Sequence, residues 1–166
     1  MKNILLISAT SGNNYKLALE LEDLLKTKEV NYDLIKLDNF SVPLYDPKIE
    51  KATNSDDISK LDELFQNADG FIFCAPEYNG STPPILTNVI AWISVKTPNW
   101  RGAFNGKSAL ICTHSGGAGN NFISSLKIQL NHLGVIVLPK AISRSDDSPI
   151  NEESVSKTLN QLIDIT

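Results

Sequence analysis

A chain of 166 residues, 42% hydrophobic and 20% charged, has the profile of one folded domain over residues 1–166 rather than of a disordered tail. Its formal net charge of −4 and its lack of any Lys/Arg cluster argue against nucleic acid or an anionic membrane as partner. The two cysteines, Cys74 and Cys112, fall in apolar runs and read as reduced core thiols; no CxxC pair and no metal-ligand cluster is expected.

Asn3 to Ile7 reads as the first strand. It is too short for a membrane span, and polar helical sequence follows it rather than a cleavage site, so a cytoplasmic protein is expected. The loop Ser8-Ala9-Thr10-Ser11-Gly12-Asn13-Asn14 leads into a helix with Leu17, Leu21, Leu24 and Leu25 on one face. Val30 to Leu37 reads as the second strand, and the proline-rich stretch Asp38 to Pro47 as irregular. Ser55-Asp56-Asp57 opens a helix carrying Ile58, Leu61, Leu64 and Phe65.

Asp69 to Ala75 reads as the third strand, buried on both faces. Pro76-Glu77-Tyr78-Asn79 then stands at a strand's carboxyl end, where open α/β sheets bind ligands. The helix after it runs to about Ser94, with Thr82 expected as its cap and Pro83 in its first turn. Asn105-Gly106 turns the chain into the fourth strand, Lys107 to Thr113. A second glycine-rich loop, His114 to Asn121, precedes a helix carrying Phe122, Leu126, Leu130 and Leu133, broken at Gly134. Val135 to Leu138 reads as the fifth strand, with a continuation past Pro139 through Ile142. The last helix begins near Asn151 and buries Val155, Leu159, Leu162 and Ile163.

Five strands alternating with five helices imply an α/β three-layer sandwich around a parallel sheet. Two doubly wound strand orders fit that alternation equally well. The first loop is not a Rossmann or Walker loop, since it has a single glycine and no Gly-Lys-Ser/Thr. Its hydroxyls, side-chain amides and helix N-terminus suit one phosphate held without a cation. An ordinary strand-to-helix turn uses the same residue types. In the order 2-1-3-4-5 the loops after strands one, three and four share one edge and can surround a single flat ligand.

The stretch Pro76-Glu77-Tyr78-Asn79-Gly80-Ser81, followed by Pro84, Leu86, Asn88, Ile90 and Trp92, resembles the flavodoxin-like NAD(P)H-dependent FMN reductases, which include quinone, azo-dye and chromate reductases. Val42 to Pro47, Gly106-Lys107 and Ser115-Gly116-Gly117-Ala118-Gly119 match in the same order, so the resemblance covers almost the whole chain. It implies a flavodoxin-like, five-stranded parallel sheet of order 2-1-3-4-5 and one bound FMN. The FMN phosphate would sit on Ser8, Thr10, Ser11, Gly12, Asn13 and Asn14. The isoalloxazine would lie against Pro76, Glu77, Tyr78 and Asn79, with its pyrimidine edge near Ser115, Gly116 and Gly117. NADPH or NADH would be the cosubstrate, a flavin or quinone the acceptor, and the assembly a homodimer or homotetramer.

The first loop departs from the family pattern by lacking its arginine, and its run of hydroxyls is nearer to that of flavodoxins. A flavodoxin-type electron carrier and a flavin-free binding protein of the same fold are therefore the alternatives. No side chain is needed as nucleophile or general base, because the chemistry would take place at flavin N5. Tyr78 reads either as a flank for the ring or as a half-buried loop aromatic, Glu77 also as a solvated charge, and Asn79 also as a turn residue. His114 and His132 are expected to be structural, Trp92 and Trp100 core or dimer-contact residues, and Arg101 a solvated loop charge.

Overall fold

All five residues of Gly70-Phe71-Ile72-Phe73-Cys74 are buried, as an interior strand covered on both faces requires. A computed structural model describes residues 1–99, 101–145 and 149–166; Trp100 lies outside the described residues. In chain order its elements are β1 (Asn3–Ser8), α1 (Asn13–Leu25), β2 (Asn31–Lys36), α2 (Asp56–Asn67), β3 (Gly70–Cys74), α3 (Pro84–Lys96), β4 (Ser108–His114), α4 (Asn120–His132), β5 (Ile136–Val137), β6 (Ile142–Arg144) and α5 (Glu152–Ile165). The sheet order is β2-β1-β3-β4-β5, all pairs parallel, with β6 also on β4. This is the flavodoxin-like order.

The fifth strand is divided. Ile136 and Val137 pair with Ser108 and Ala109, whereas Ile142, Ser143 and Arg144 pair with Cys112, Thr113 and His114. Pro139, which has no N–H to give to the ladder, stands in the gap. The regular strand is thus shorter than Val135–Leu138, and the stretch beyond Pro139 is a strand of its own.

Alternation along the strands sorts the core into two layers. Leu5, Ile7, Phe71, Phe73, Ala109 and Ile111 pack on the side of α2, α3 and α4. Ile4, Leu6, Ile72, Cys74, Leu110 and Cys112 pack against α1 and α5. Cys74 and Cys112 are register partners, both buried and both reduced. Burial, and then the neighbouring Cys74 thiol, push the Cys112 thiol well above the usual range, so it stays protonated.

Helix starts follow the sequence with one exception. The Ser55 hydroxyl accepts the Ile58 N–H and the Asn151 side chain accepts the Ser154 N–H, capping α2 and α5. Thr82 does not cap α3. Pro84 holds the residue before it extended, so Pro83 becomes the cap position and Pro84 the first helical residue. The Thr82 hydroxyl instead bonds Ser125 Oγ of α4 at 2.9 Å.

The irregular stretch after β2 is tied to α3. Asn88 Nδ2 and Trp92 Nε1 both donate to the Pro43 carbonyl, at 3.0 and 2.7 Å, and the Tyr45 N–H donates to Asn88 Oδ1 at 2.8 Å. Tyr45 packs edge-on against the buried Trp92. Leu44 stays 83% exposed on this anchored segment.

Candidate functional site

Parallel pairing sets Ser8, Cys74 and Cys112 side by side, so β1, β3 and β4 end at one edge of the sheet. The three loops that leave that edge are cross-linked by side chains. Asn14, at the start of α1, is 2% exposed. Its Nδ2 donates to the His114 carbonyl and its Oδ1 accepts the His114 N–H, both at 2.8 Å. That pair staples the first loop to the end of β4. Asn13 lies nearby, with Nδ2 3.5 Å from His114 Nε2.

In the first loop Ser8 is buried, and its hydroxyl donates to the Thr10 carbonyl at 2.8 Å. Ser11, Gly12 and Asn13 are exposed, and a side chain placed on Gly12 would meet nothing within 4 Å. Gly12 is the cap position of α1 and carries no side-chain cap; the Tyr15 N–H donates to its carbonyl at 3.0 Å, which leaves the N–H groups of Asn13 and Asn14 to the loop. A cation also stands here that motif reading does not give. Lys36, at the end of β2, donates to Ser11 Oγ at 3.3 Å and lies 5.0 Å from the Tyr15 ring centroid.

The central loop is a tight hairpin turn. Tyr78 and Ser81 exchange backbone bonds of 3.1 and 3.0 Å, while Asn79 and Gly80 both take positive φ, 50° and 69°. That is the demand of a type I′ turn, which Asn-Gly meets best. Asn79 therefore has a backbone reason to be asparagine. Pro76 is buried ahead of the turn, and Tyr78, which flanks it opposite Ser81, is 49% exposed.

Glu77 joins the central loop to the third. Its N–H donates to Ser115 Oγ at 2.9 Å, and Ser115 Oγ also bonds Thr113 Oγ1 at 2.8 Å. Its carboxylate accepts the backbone N–H groups of Asn121 and Phe122 at 2.9 and 3.1 Å, with Asn121 Nδ2 at 3.4 Å. The N-cap residue of α4 is Gly119, in the left-handed region at φ 65° and without a side chain. A Cβ there would come within 2.8 Å of Thr113 Cγ2. Helix α4 thus starts on a glycine for steric reasons and takes its capping carboxylate from another loop. A helix opening on Gly-Asn-Asn, with no acid in its first turn, was the available sequence signal.

Gly116 and Gly117 are exposed, and added Cβ atoms would meet no protein atom within 4 Å. Ser143 Oγ of β6 holds the same loop through the Ala118 carbonyl at 2.8 Å. The loop is therefore fixed on its inner side and open on its outer one. Replacing Gly116 by leucine should leave the melting temperature within about 1 °C, as surface changes do, yet weaken flavin binding about tenfold by blocking backbone approach. Equal loss of stability and binding, or unchanged affinity, would take this loop out of the site.

The remaining candidates lie outside this edge. His132 ends α4 and its Nε2 is 2.9 Å from a guanidinium nitrogen of Arg101. Among the described residues no cluster of three or more His, Cys, Asp or Glu side chains is placed to hold a metal, and no helix is long and apolar enough to cross a membrane.

Residues 1–147 match the family model described as NADPH-dependent FMN reductase. An NAD(P)H-dependent FMN reductase of Schizosaccharomyces pombe is 36% identical over 72 residues, 43% of this chain but only 32% of the yeast protein. The FerB flavoenzyme NAD(P)H:(acceptor) oxidoreductase of Paracoccus denitrificans superposes with TM-score 0.80 at 20% identity, covering 99% of this chain and 96% of that one. An FMN-dependent NADH-azoreductase of Bacillus anthracis in complex with FMN superposes with TM-score 0.66 at 15% identity, over 99% and 96% of the two chains. The chain belongs to the NADPH-dependent FMN reductase family, flavoprotein oxidoreductases that use FMN and a reduced nicotinamide nucleotide.

Proposed function

We propose that this chain is an NAD(P)H-dependent reductase of the FMN reductase and quinone reductase type, taking one FMN along the edge where β1, β3 and β4 end. The observation that carries this reading is the cross-linking of three loops at one edge, by Asn14 to His114 and by Glu77 to Ser115 and α4. The residues fit an FMN. Ser11, Gly12, Asn13 and the uncapped start of α1 offer neutral donors for a phosphate, with Lys36 beside them. Gly116 and Gly117 leave backbone groups open to the edge of a heterocycle.

Bound FMN would supply the redox chemistry, a hydride taken from the nicotinamide and two electrons returned to an acceptor. The chain's own part is to bind and orient the flavin. Ser8 and Thr10 shape the first loop through their internal bond, and Asn14 holds it against β4. Pro76 and the Asn79-Gly80 turn fix Tyr78 at the flank of the turn, exposed enough to lie beside a planar ligand. Ser115 and Glu77 fix the third loop so that its glycine backbone faces outward. No side chain at the edge has to gain or lose a proton for such a role.

The acceptor assigned is a small flavin or quinone, since the edge is open rather than enclosed. The assembly assigned is a homodimer or homotetramer in the cytoplasm. The exposed Leu44 and Ile49, on a segment tied down to α3, are apolar surface that a second copy would cover.

Anaerobic titration of the FMN-loaded protein with NADH and NADPH tests the function. Bleaching of the yellow flavin by either nucleotide, then recovery on adding a quinone, is expected. Flavin that neither nucleotide bleaches would make the protein an electron carrier instead.

A further inference from the structure

The first loop has an electrostatic deficit. A phosphate monoester carries close to two negative charges, yet Ser8 to Asn14 includes no lysine or arginine. Register pairing puts Lys36 directly beside Ser8, the last residue of β1. Its ammonium reaches Ser11 Oγ at 3.3 Å and sits over Tyr15, so its stem crosses from the edge strand to the first turn of α1. Two residues on, Asp38 accepts the hydroxyl proton of the same Ser11 at 2.5 Å. Ser11 thus accepts from a cation and donates to an anion.

We propose that Lys36 is the counter-charge of the FMN phosphate and that Asp38 opposes it, so the pair sets how strongly the protein distinguishes FMN from riboflavin. This rests on the phosphate placement given above. A phosphate on the loop competes with Asp38 for the Ser11 hydroxyl and for the field of the lysine. A lysine suits the task because its charge sits on a long flexible stem and can swing from Ser11 to a phosphate oxygen. In this chain the cation comes from β2 rather than from the loop, and an acid two residues away binds the same Ser11 hydroxyl.

The test is direct binding of FMN and of riboflavin to flavin-free full-length protein, read by quenching of flavin fluorescence. Lys36→Ala should weaken FMN about tenfold, the worth of one charge-assisted bond, and leave riboflavin unchanged. Lys36→Arg should restore most of the FMN affinity. Asp38→Asn should tighten FMN about threefold, again without effect on riboflavin, because one opposing charge at a wet surface acts weakly. The wild-type preference for FMN should shrink as salt rises.

Equal losses for both flavins in Lys36→Ala would mean a structural role and overturn the proposal, as would an unchanged FMN preference. Those results leave the flavin reading intact. Wild-type protein that binds neither flavin would instead remove that reading itself.

Discussion

Asn14→Ala should cost about 2–3 kcal/mol in urea unfolding, the worth of two buried hydrogen bonds plus a small cavity. The neighbouring Asn13→Ala should change stability by less than about 0.5 kcal/mol, as exposed substitutions do. The two asparagines are adjacent and both open α1, so their contrast isolates the staple to His114. Asn14 is enclosed, and its amide meets both an N–H and a carbonyl of one residue at the end of β4. Only a side chain with a donor and an acceptor side by side can do that. Aspartate offers two acceptors and would set a carboxylate against the His114 carbonyl, so Asn14→Asp should lose at least as much. Flavin affinity should fall with stability, since the first loop is held against β4 by this contact before any ligand arrives. If Asn13 and Asn14 variants unfold at the same urea concentration, the loops are positioned by the sheet alone.

Most of the architecture could be read from apolar periodicity. Phe71 to Cys74 announces a strand buried on both faces, and Leu17, Leu21 and Leu25 give the inner face of α1. Strand order could not, because alternation of strands and helices fits two doubly wound sheets; the resemblance carried by Pro76 to Ser81 decided it, and the sheet has that order. Local misreadings have local causes. Thr82 has the right side chain for a cap, but the second of two prolines sets where α3 begins. Pro139 divides the last strand.

Side-chain wiring at the site was the least legible part, because it depends on partners far away in sequence. Lys36 lies within the predicted second strand, and its place next to Ser8 follows only from the pairing of β2 with β1. Asn14 looks like one more loop amide, yet its partner is a hundred residues on. Asn79 takes a positive φ beside Gly80, which gives it a backbone reason to be asparagine. Tyr78 flanks the turn, paired with Ser81, and is about half exposed. Glu77 is not simply a solvated charge; its carboxylate accepts the first backbone N–H groups of α4.

That attachment leads to the second large effect, the loss of Glu77. In Glu77→Ala, α4 keeps a glycine at its cap position and loses both bonds to the carboxylate along with the charge facing its dipole. Hydrogen bonds to a charged group contribute about 1.5–3 kcal/mol, so the first turn of α4 should open locally at about that cost. Amide exchange of Asn121 and Phe122 should then accelerate roughly ten- to a hundredfold, each factor of ten being 1.4 kcal/mol. Residues Ser115 to Gly119 lead directly into that turn. FMN affinity should therefore fall by a similar factor, because the loop must be ordered again on binding. Glu77→Gln keeps one carbonyl oxygen as acceptor and should recover part of both effects, whereas added salt should not. The Glu77 backbone N–H remains in every variant to bond Ser115, so the central loop itself should keep its fold. Unchanged exchange at Asn121 and Phe122 in Glu77→Ala would show that α4 does not depend on this carboxylate. Faster exchange with full FMN affinity would show that the third loop holds its shape without α4, and the ligand's edge would then have to be sought elsewhere.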